Sequence, residues 1–178
     1  MQDFLNRFYH NLPSYPYSTS NFSRGLSTYH KSYCKEEDYI QFNKWNSINY
    51  IVLDLDYEES VCEIVYSKIG LPLPNLIIEN IKNGRSHIVF ELKKGIHNNP
   101  DSRIKPILFL KAVISKLTDI YKADTQYSGL ICKNPFSQKW RLTQIRKEAY
   151  SLTELADKLD LNNSETKQSS NTQSEYAE

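Results

Sequence analysis

The chain has 178 residues, of which 39% are hydrophobic and 24% are charged, and its formal net charge is +1. This length suits one domain with an extension, and the near-neutral charge excludes a globally basic surface. The three cysteines lie far apart and form no Cys-x-x-Cys or Cys/His cluster, which argues against a zinc site and indicates a reducing compartment.

The N-terminal segment predicts a short helix from Asp3 to Leu12, which ends before Pro13. Polar and charged residues interrupt its apolar positions, and no apolar run of the sequence reaches membrane-spanning length. We therefore expect a cytoplasmic protein with no signal peptide and no membrane partner. Residues 14–32 are rich in Ser, Tyr and Asn and predict an irregular surface segment. Its tyrosines would pack onto the body of the protein or, alternatively, stack on bases.

A β-branched run from Asn49 to Leu53 predicts a buried strand that ends in two aspartates, Asp54 and Asp56. The preceding stretch from Tyr39 to Asn43 predicts a strand too, and the short link suggests that the two form an antiparallel pair. Side chains two residues apart in a strand point to the same side, so the two carboxylates project together. Such a pair suits Mg²⁺ or Mn²⁺; the alternative is a strand end whose acids face solvent or cap the next helix.

The middle of the chain predicts a helix after Asp56 that closes at Gly70, and then a hairpin through Asn83-Gly84. Its strands would run from Leu76 to Ile78 and from Ser86 to Leu92, with His87 on the opposite face from Ser86. A polar loop from Lys93 to Pro100 would follow, and then the longest helix, from Ser102 to Tyr121, with Asp101 as its cap.

The last third of the chain predicts a turn from Ala123 to Ser128 and a strand from Gly129 to Cys132, which Lys133-Asn134-Pro135 breaks. A capping box at Ser151 to Glu154 would begin a last helix. Between them lies a basic stretch around one aromatic residue, made of Lys139, Trp140, Arg141, Arg146 and Lys147. It would grip a nucleic-acid strand, or it is a solvated face with one core tryptophan.

Four sequence blocks occur together in one order: Val52-Leu53-Asp54-Leu55-Asp56; Asn80-x-x-Asn83-Gly84-Arg85-Ser86-His87; Ala123-Asp124-x-x-Tyr127-x-Gly129; and Lys133-Asn134-Pro135 with Trp140 after it. Together they resemble the plasmid replicase family, the primase-type initiators of colicin-type plasmids and some phages, within the archaeo-eukaryotic primase superfamily. The resemblance implies an α+β fold in which a mixed or antiparallel sheet is flanked by helices. Residues 1–161 would form the primase-like catalytic domain, partly irregular at its N-terminal end, and residues 162–178 a disordered polar tail.

The implied activity is primer synthesis on a single-stranded DNA template or replication origin, with nucleoside triphosphates as substrates and a host DNA polymerase as a further partner. Asp54, Asp56 and His87 would be catalytic, with Asp54 and Asp56 holding Mg²⁺ or Mn²⁺. The predicted nucleotide-binding residues are Arg85, Ser86, His87, Lys133 and Asn134. The basic stretch from Lys139 to Lys147 would bind DNA. The alternatives are an origin-binding initiator with an inactive site, or another Asp-x-Asp metal-dependent nucleotidyltransferase, glycosyltransferase or nuclease.

The third metal-binding acid has four candidates after His87, namely Glu91, Asp101, Asp119 and Asp124. Glu91 lies about 13 Å along the strand from His87, which is too far to share an ion. Asp101 is placed to cap the long helix, and Asp119 lies on its solvent side. Asp124 follows that helix, so a chain reversal there could bring it to Asp54 and Asp56. We predict that Asp124 joins the site, with an Asx-type turn as the alternative.

Overall fold

The computed structural model describes residues 1–56, 65–68 and 70–161, and these fold into an α+β arrangement, as the sequence predicts. The helices are α1 (Gln2–Asn11), α2 (Ile104–Tyr121) and α3 (Leu152–Lys158). The strands are β1 (Tyr17–Thr19), β2 (Ser27–Thr28), β3 (Tyr39–Gln41), β4 (Ser47–Leu55), β5 (Leu76–Glu79), β6 (Ser86–His97), β7 (Ile131–Lys133) and β8 (Arg141–Gln144). Of the helix predicted after Asp56, residues 65–67 are helical. Residues 57–64 and 69 of that helix and the predicted tail lie outside the described residues.

The strands form two antiparallel sheets. The outer sheet has the order β2-β1-β3-β7, and the central sheet has the order β4-β6-β5-β8. Two hydrophobic clusters lie on opposite faces of the central sheet: α2 and α3 cover one face, while α1 and the outer sheet cover the other. Because both of its faces are covered, a central strand such as β5 is buried at every position, and its first three residues, Leu76 to Ile78, form a continuous apolar run.

The predicted pairing of β3 with β4 is wrong. β3 pairs with β1 and β7, whereas β4 pairs with β6 and forms an edge of the central sheet. The side chain of Asn43 occupies the backbone groups that such a pair would use. Its Oδ1 accepts hydrogen bonds from the N–H groups of Asn49 and Tyr50, and its amide donates to the carbonyl oxygen of Tyr50. The two strands therefore separate into different sheets.

The hairpin of β5 and β6 is confirmed, with Ile77 opposite Ile88. The predicted polar loop from Lys93 to Pro100 is wrong in its first part, because β6 continues to His97, which lies opposite Ser47 in β4. The polar residues of this segment do not show the apolar alternation by which a strand is recognised from sequence, because this end of β6 is exposed or half-buried. Pairing along a long neighbour, rather than burial, extends the strand.

The long helix α2 forms as predicted and buries Leu110, Val113, Leu117 and Tyr121 against the central sheet. Pro106 falls in its first turn, where the missing N–H breaks no hydrogen bond of the helix. The cap predicted at Asp101 is wrong, since the helix begins after Arg103 without a side-chain cap. The start of α3 at Ser151 is confirmed, because the Ser151 hydroxyl accepts a hydrogen bond from the N–H of Glu154. The Glu154 carboxylate pairs with Arg146 and Lys93, so the reciprocal half of the capping box is replaced by ion pairs. Within the described residues, no helix has the length and apolar character needed to cross a membrane.

The segment of residues 14–32 differs from its prediction in two respects. It contributes β1 and β2 to the outer sheet, so it is not wholly irregular. Its tyrosines do not pack onto the body, because Tyr15, Tyr17 and Tyr29 remain 66%, 44% and 56% exposed. Both strands are very short, and a two- or three-residue strand carries too little alternation to be recognised from sequence.

Candidate metal and nucleotide site

Three carboxylates meet at one end of the central sheet. Asp54 lies in β4, Asp56 follows it on the same side, and Asp124 follows α2. The backbone N–H of Asp124 donates to the carbonyl oxygen of Asp54 at 2.9 Å, which fixes the loop after α2 against the strand. One ligand atom from each of the three aspartates lies within 4.8 Å of the other two. The chain reversal predicted after α2 therefore brings Asp124 to the pair.

This cluster, which we call the acidic cluster, fits a hard divalent cation. All of its donors are carboxylate oxygens, the ligands that Mg²⁺ and Mn²⁺ prefer. Mg–O bonds of about 2.1 Å place the ligands of an octahedron up to about 4.2 Å apart, so oxygens within 4.8 Å of one another can reach one ion with a small adjustment. Asp56 and Asp124 are exposed and Asp54 is half-buried, which leaves room for water and substrate oxygens. The Oδ1 atom of Asp124 also accepts a hydrogen bond from the N–H of Gln126, so the Asx-type turn is present too.

His87 lies directly opposite Asp54 in the β4–β6 pair, and its side chain is buried. Its Nε2 is 3.2 Å from Oδ1 of Asp54, and its Nδ1 accepts a hydrogen bond from the backbone N–H of Lys133 at 3.0 Å. Because Nδ1 is an acceptor, the ring proton must be on Nε2 and the imidazole is neutral. His87 thus donates to one oxygen of Asp54 and fixes the orientation of that carboxylate.

The surroundings of this pair shift both pKa values downward. Burial lowers the pKa of His87 although the Asp54 carboxylate acts to raise it. For Asp54, burial acts to raise the pKa, but the hydrogen bond from His87 and the positive charges of Lys133 and Arg85 outweigh it. At neutral pH the pair is therefore a carboxylate and a neutral imidazole.

The lowered pKa of His87 predicts a pH-dependent stability. Between this lowered pKa and the ordinary value of about 6.5, the unfolded chain binds a proton that the folded chain does not. The free energy of unfolding should therefore fall as the pH is lowered through that window, by at most about 1.4 kcal/mol per pH unit. Urea unfolding in EDTA at a series of pH values measures this slope.

His87→Gln should remove that contribution from the slope, whereas His30→Gln should keep it, because His30 is exposed. An unchanged slope in His87→Gln would mean that another group carries the effect.

Two cations flank the acidic cluster. The Arg85 Nε lies 3.5 Å from Oδ1 of Asp56, and the Arg85 side chain is 55% exposed. Lys133 is buried, which lowers the pKa of its ammonium, while Asp54 acts to raise it. Within the described part of the chain, no carboxylate lies within ion-pair distance of the Lys133 ammonium. Both cations can therefore approach an anion bound at the cluster.

Two predicted nucleotide-binding residues do not face this space, and their roles need correction. Ser86 is fully buried on the opposite face of β6 from His87, and its hydroxyl donates to the carbonyl oxygen of Gly84. Asn134 is fully buried, and its amide donates to the carbonyl oxygens of Cys34, Lys35 and Glu37. The Asn134 amide uses its hydrogen bonds to hold the loop before β3, so it has no donor left for a nucleotide.

The basic stretch from Lys139 to Lys147 is not one surface. Lys139 pairs with Asp38, Arg141 with Glu79 and Arg146 with Glu154. Arg141 lies near the acidic end of the central sheet, whereas Arg146 lies beyond the other end of β8. Lys147 is exposed.

Trp140 is 6% exposed, and its indole N–H donates to the carbonyl oxygen of Asp38. Its role as a stacking platform is therefore corrected to a core role. Contact of the four basic side chains with DNA stays a prediction.

Sequence reasoning missed two side chains that touch His87. The ring of Tyr127 lies 5.1 Å from the imidazole, and the Sγ of Cys132 lies 3.0 Å from Nδ1. Burial raises the pKa of both groups well above their ordinary values, so both stay neutral. Tyr127 stands in one of the sequence blocks quoted above, but nothing in the sequence places Cys132, since the pairing of β7 with β3 brings it there.

Comparison with known proteins gives two findings. The model of the Replicase family matches residues 11–159. Among solved structures, the AEP domain of the cyanophage S-2L primase-polymerase is similar, with a TM-score of 0.53 and 10% sequence identity over 82% of this chain and 87% of that chain. No curated protein matches the chain. At this identity the second finding shows a shared fold and agrees with the predicted architecture.

Proposed function

The chain belongs to the Replicase family, and from this premise we propose that it synthesises primers on a single-stranded DNA template. The acidic cluster is the observation that carries the proposal, because it combines three carboxylates with two flanking cations at one sheet end. Primer synthesis requires this combination: hard ligands for a divalent ion, and positive groups for a triphosphate. The likeness in fold to a primase-polymerase domain supports the same reaction class.

The chemistry would divide among the described residues as follows. Asp54, Asp56 and Asp124 would hold Mg²⁺ or Mn²⁺, which when bound stabilises the charge that develops on the attacking and leaving oxygens. The primer 3′-oxygen forms a bond to the α-phosphorus of the incoming nucleotide, and the bond to pyrophosphate breaks. Arg85 and Lys133 would bind the triphosphate oxygens.

His87 would act as a positioning residue in this arrangement. Its Nε2–H is committed to Asp54, so it orients a metal-binding carboxylate instead of donating to a phosphate. This assignment revises the sequence prediction, in which His87 touches the nucleotide.

Nucleotide incorporation on a single-stranded template tests the proposal directly. The chain is incubated with an oligothymidylate, labelled ATP or dATP, and Mg²⁺ or Mn²⁺, and the products are separated on a denaturing gel. We expect new labelled adenylate oligomers, complementary to the template, whose formation EDTA abolishes. Shortened oligonucleotides would indicate a nuclease instead. Template binding with neither product would indicate an initiator with an inactive site.

We expect Arg85→Ala and Lys133→Ala each to weaken triphosphate binding. The loss of one charge-assisted hydrogen bond should cost about 1.5–3 kcal/mol, or roughly ten- to a hundredfold in affinity. Titration of a fluorescent nucleoside triphosphate measures this. The control is Lys93→Ala, since Lys93 pairs with Glu154 away from the cluster and should leave binding unchanged. Unchanged binding in both variants would place the triphosphate elsewhere.

A further inference from the structure

A groove runs along the free edge of β4, where the sequence predicts a pairing with β3. Three cavities with volumes of about 290, 360 and 610 Å³ follow one another along it. The first contains Asp124 and shares Val52, Ile114 and Tyr127 with the second. The second shares Tyr17, Gln41, Lys44 and Trp45 with the third. The groove therefore connects the acidic cluster with the surface around Trp45.

The far end of the groove presents flat aromatic side chains to solvent. Trp45 is 73% exposed, Tyr15 is 66% exposed and Tyr17 is 44% exposed, and all three line the third cavity. Large apolar rings are costly to leave in water when they have no partner. Their position along a groove, rather than scattered over the surface, indicates a ligand with flat faces.

The charge of this part of the groove suits a polyanion. The second and third cavities have Lys44 as their charged lining residue, and no carboxylate lines either of them. The side-chain amide of Asn98 adds a hydrogen-bond donor and acceptor, whereas the amides of Gln41 and Asn43 bond to protein backbone. Stacking rings beside a cation are the features by which proteins bind unpaired bases.

The edge of β4 is unsuited to the other common occupant, an added peptide strand. Asn43 covers the N–H and the carbonyl oxygen of Tyr50, and the N–H of Asp124 covers the carbonyl oxygen of Asp54. Because alternate residues of an antiparallel strand face its free edge, Val52 stands between these two covered points. A strand partner needs a longer row of open backbone groups.

We propose that this groove binds single-stranded DNA, with bases stacked on Trp45 and Tyr17 and the strand leading to the acidic cluster. The proposal rests on the proposed function in one respect, namely that the strand is the template. β4 spans seven residue steps from Ser47 to Asp54, or about 23 Å. At about 3.4 Å per stacked nucleotide, the groove holds roughly seven nucleotides.

The fluorescence of Trp45 offers a direct test on the full chain. The protein contains two tryptophans, of which Trp45 is exposed and Trp140 is buried. Titration with an oligothymidylate of about twelve nucleotides should quench the emission, because a stacked base contacts Trp45. The quenching should disappear in Trp45→Phe, whereas fluorescence anisotropy of a labelled oligonucleotide should show that binding persists.

Three substitutions separate stacking from charge and from a general surface effect. Trp45→Ala and Tyr17→Ala should each weaken binding about tenfold without changing its salt dependence. Lys44→Ala should lower the slope of log K against log salt by about 0.7, the value for one phosphate of a single strand. Tyr33→Ala is the matched control, because Tyr33 is 75% exposed but lines none of the three cavities. The affinity of this variant for the oligonucleotide should stay within about twofold of the wild-type value.

Oligonucleotide binding without quenching, or equal losses in Trp45→Ala and Tyr33→Ala, would overturn the proposal. Tighter binding of oligouridylate than of oligothymidylate would overturn the assignment to DNA. Failure of the proposed function looks different, because a chain that incorporates no nucleotide can still show quenching and the loss in Trp45→Ala. Incorporation by a chain whose Trp45→Ala variant binds template normally would overturn the groove alone.

Discussion

Asp54→Asn and Asp56→Asn should each abolish nucleotide incorporation while the protein stays folded. Asparagine keeps the shape and one oxygen of the side chain but removes the negative charge that holds a divalent ion. In Asp54→Asn the amide oxygen can still accept the hydrogen bond from His87, so the local structure should persist. We expect losses on the order of a thousandfold or more, measured as initial rates of incorporation on an oligothymidylate template.

The matched control for this experiment is Asp119→Asn. Asp119 is exposed and lines the same cavity as Asp124, but it is not part of the acidic cluster. It should keep near-normal activity, which shows that the loss in the other variants is not a general effect of removing negative charge. Activity close to wild type in Asp54→Asn or Asp56→Asn would remove the central claim about the site.

The strand that carries Asp54 and Asp56 could be predicted because its information is local. A β-branched run defines the strand, and the two-residue period of a strand puts both acids on one side. The hairpin dipeptide Asn83-Gly84 likewise predicts the β5–β6 pair. These features need no knowledge of distant parts of the chain, and the structure contains them as predicted.

The features that sequence reasoning missed depend on long-range pairing. β3 pairs with β7, which places Tyr39 opposite Lys133 and brings Cys132 and the backbone of Lys133 to His87. Nothing in either short strand specifies that partner. The same pairing leaves the edge of β4 open and so creates the groove in place of the expected hairpin.

Burial explains the remaining errors at the site. Trp140 and Asn134 both stand in a polar, basic context that predicts a surface, yet both are in the interior. Each is held by backbone carbonyl oxygens from the segment before β3, namely Asp38 for Trp140 and Cys34, Lys35 and Glu37 for Asn134. Sequence neighbours alone do not distinguish a polar side chain that hydrogen-bonds to buried backbone groups from one that is exposed to solvent.

Phe8→Ala should cause a large loss of stability, about 3–5 kcal/mol. Phe8 is fully buried, and its ring contacts those of Phe42, Tyr50 and Phe136 at centroid distances of 4.5, 5.5 and 5.7 Å. These partners follow β3, lie in β4 and follow β7, so Phe8 ties α1 to both sheets. Removal of the ring leaves a cavity at the point where the two sheets are joined.

The same substitution should impair the site, because the outer sheet supplies Lys133 and the central sheet supplies Asp54 and His87. We expect lower activity even at temperatures where Phe8→Ala is mostly folded. Urea unfolding and incorporation assays on one preparation measure both effects. The control is Phe22→Ala, whose ring is 56% exposed and packs on Tyr39, and which should cost no more than about 1 kcal/mol. Equal destabilisation by the two substitutions would mean that the buried Phe8 ring contributes no more to stability than the exposed Phe22 ring. The claim that Phe8 joins the two sheets would then be wrong.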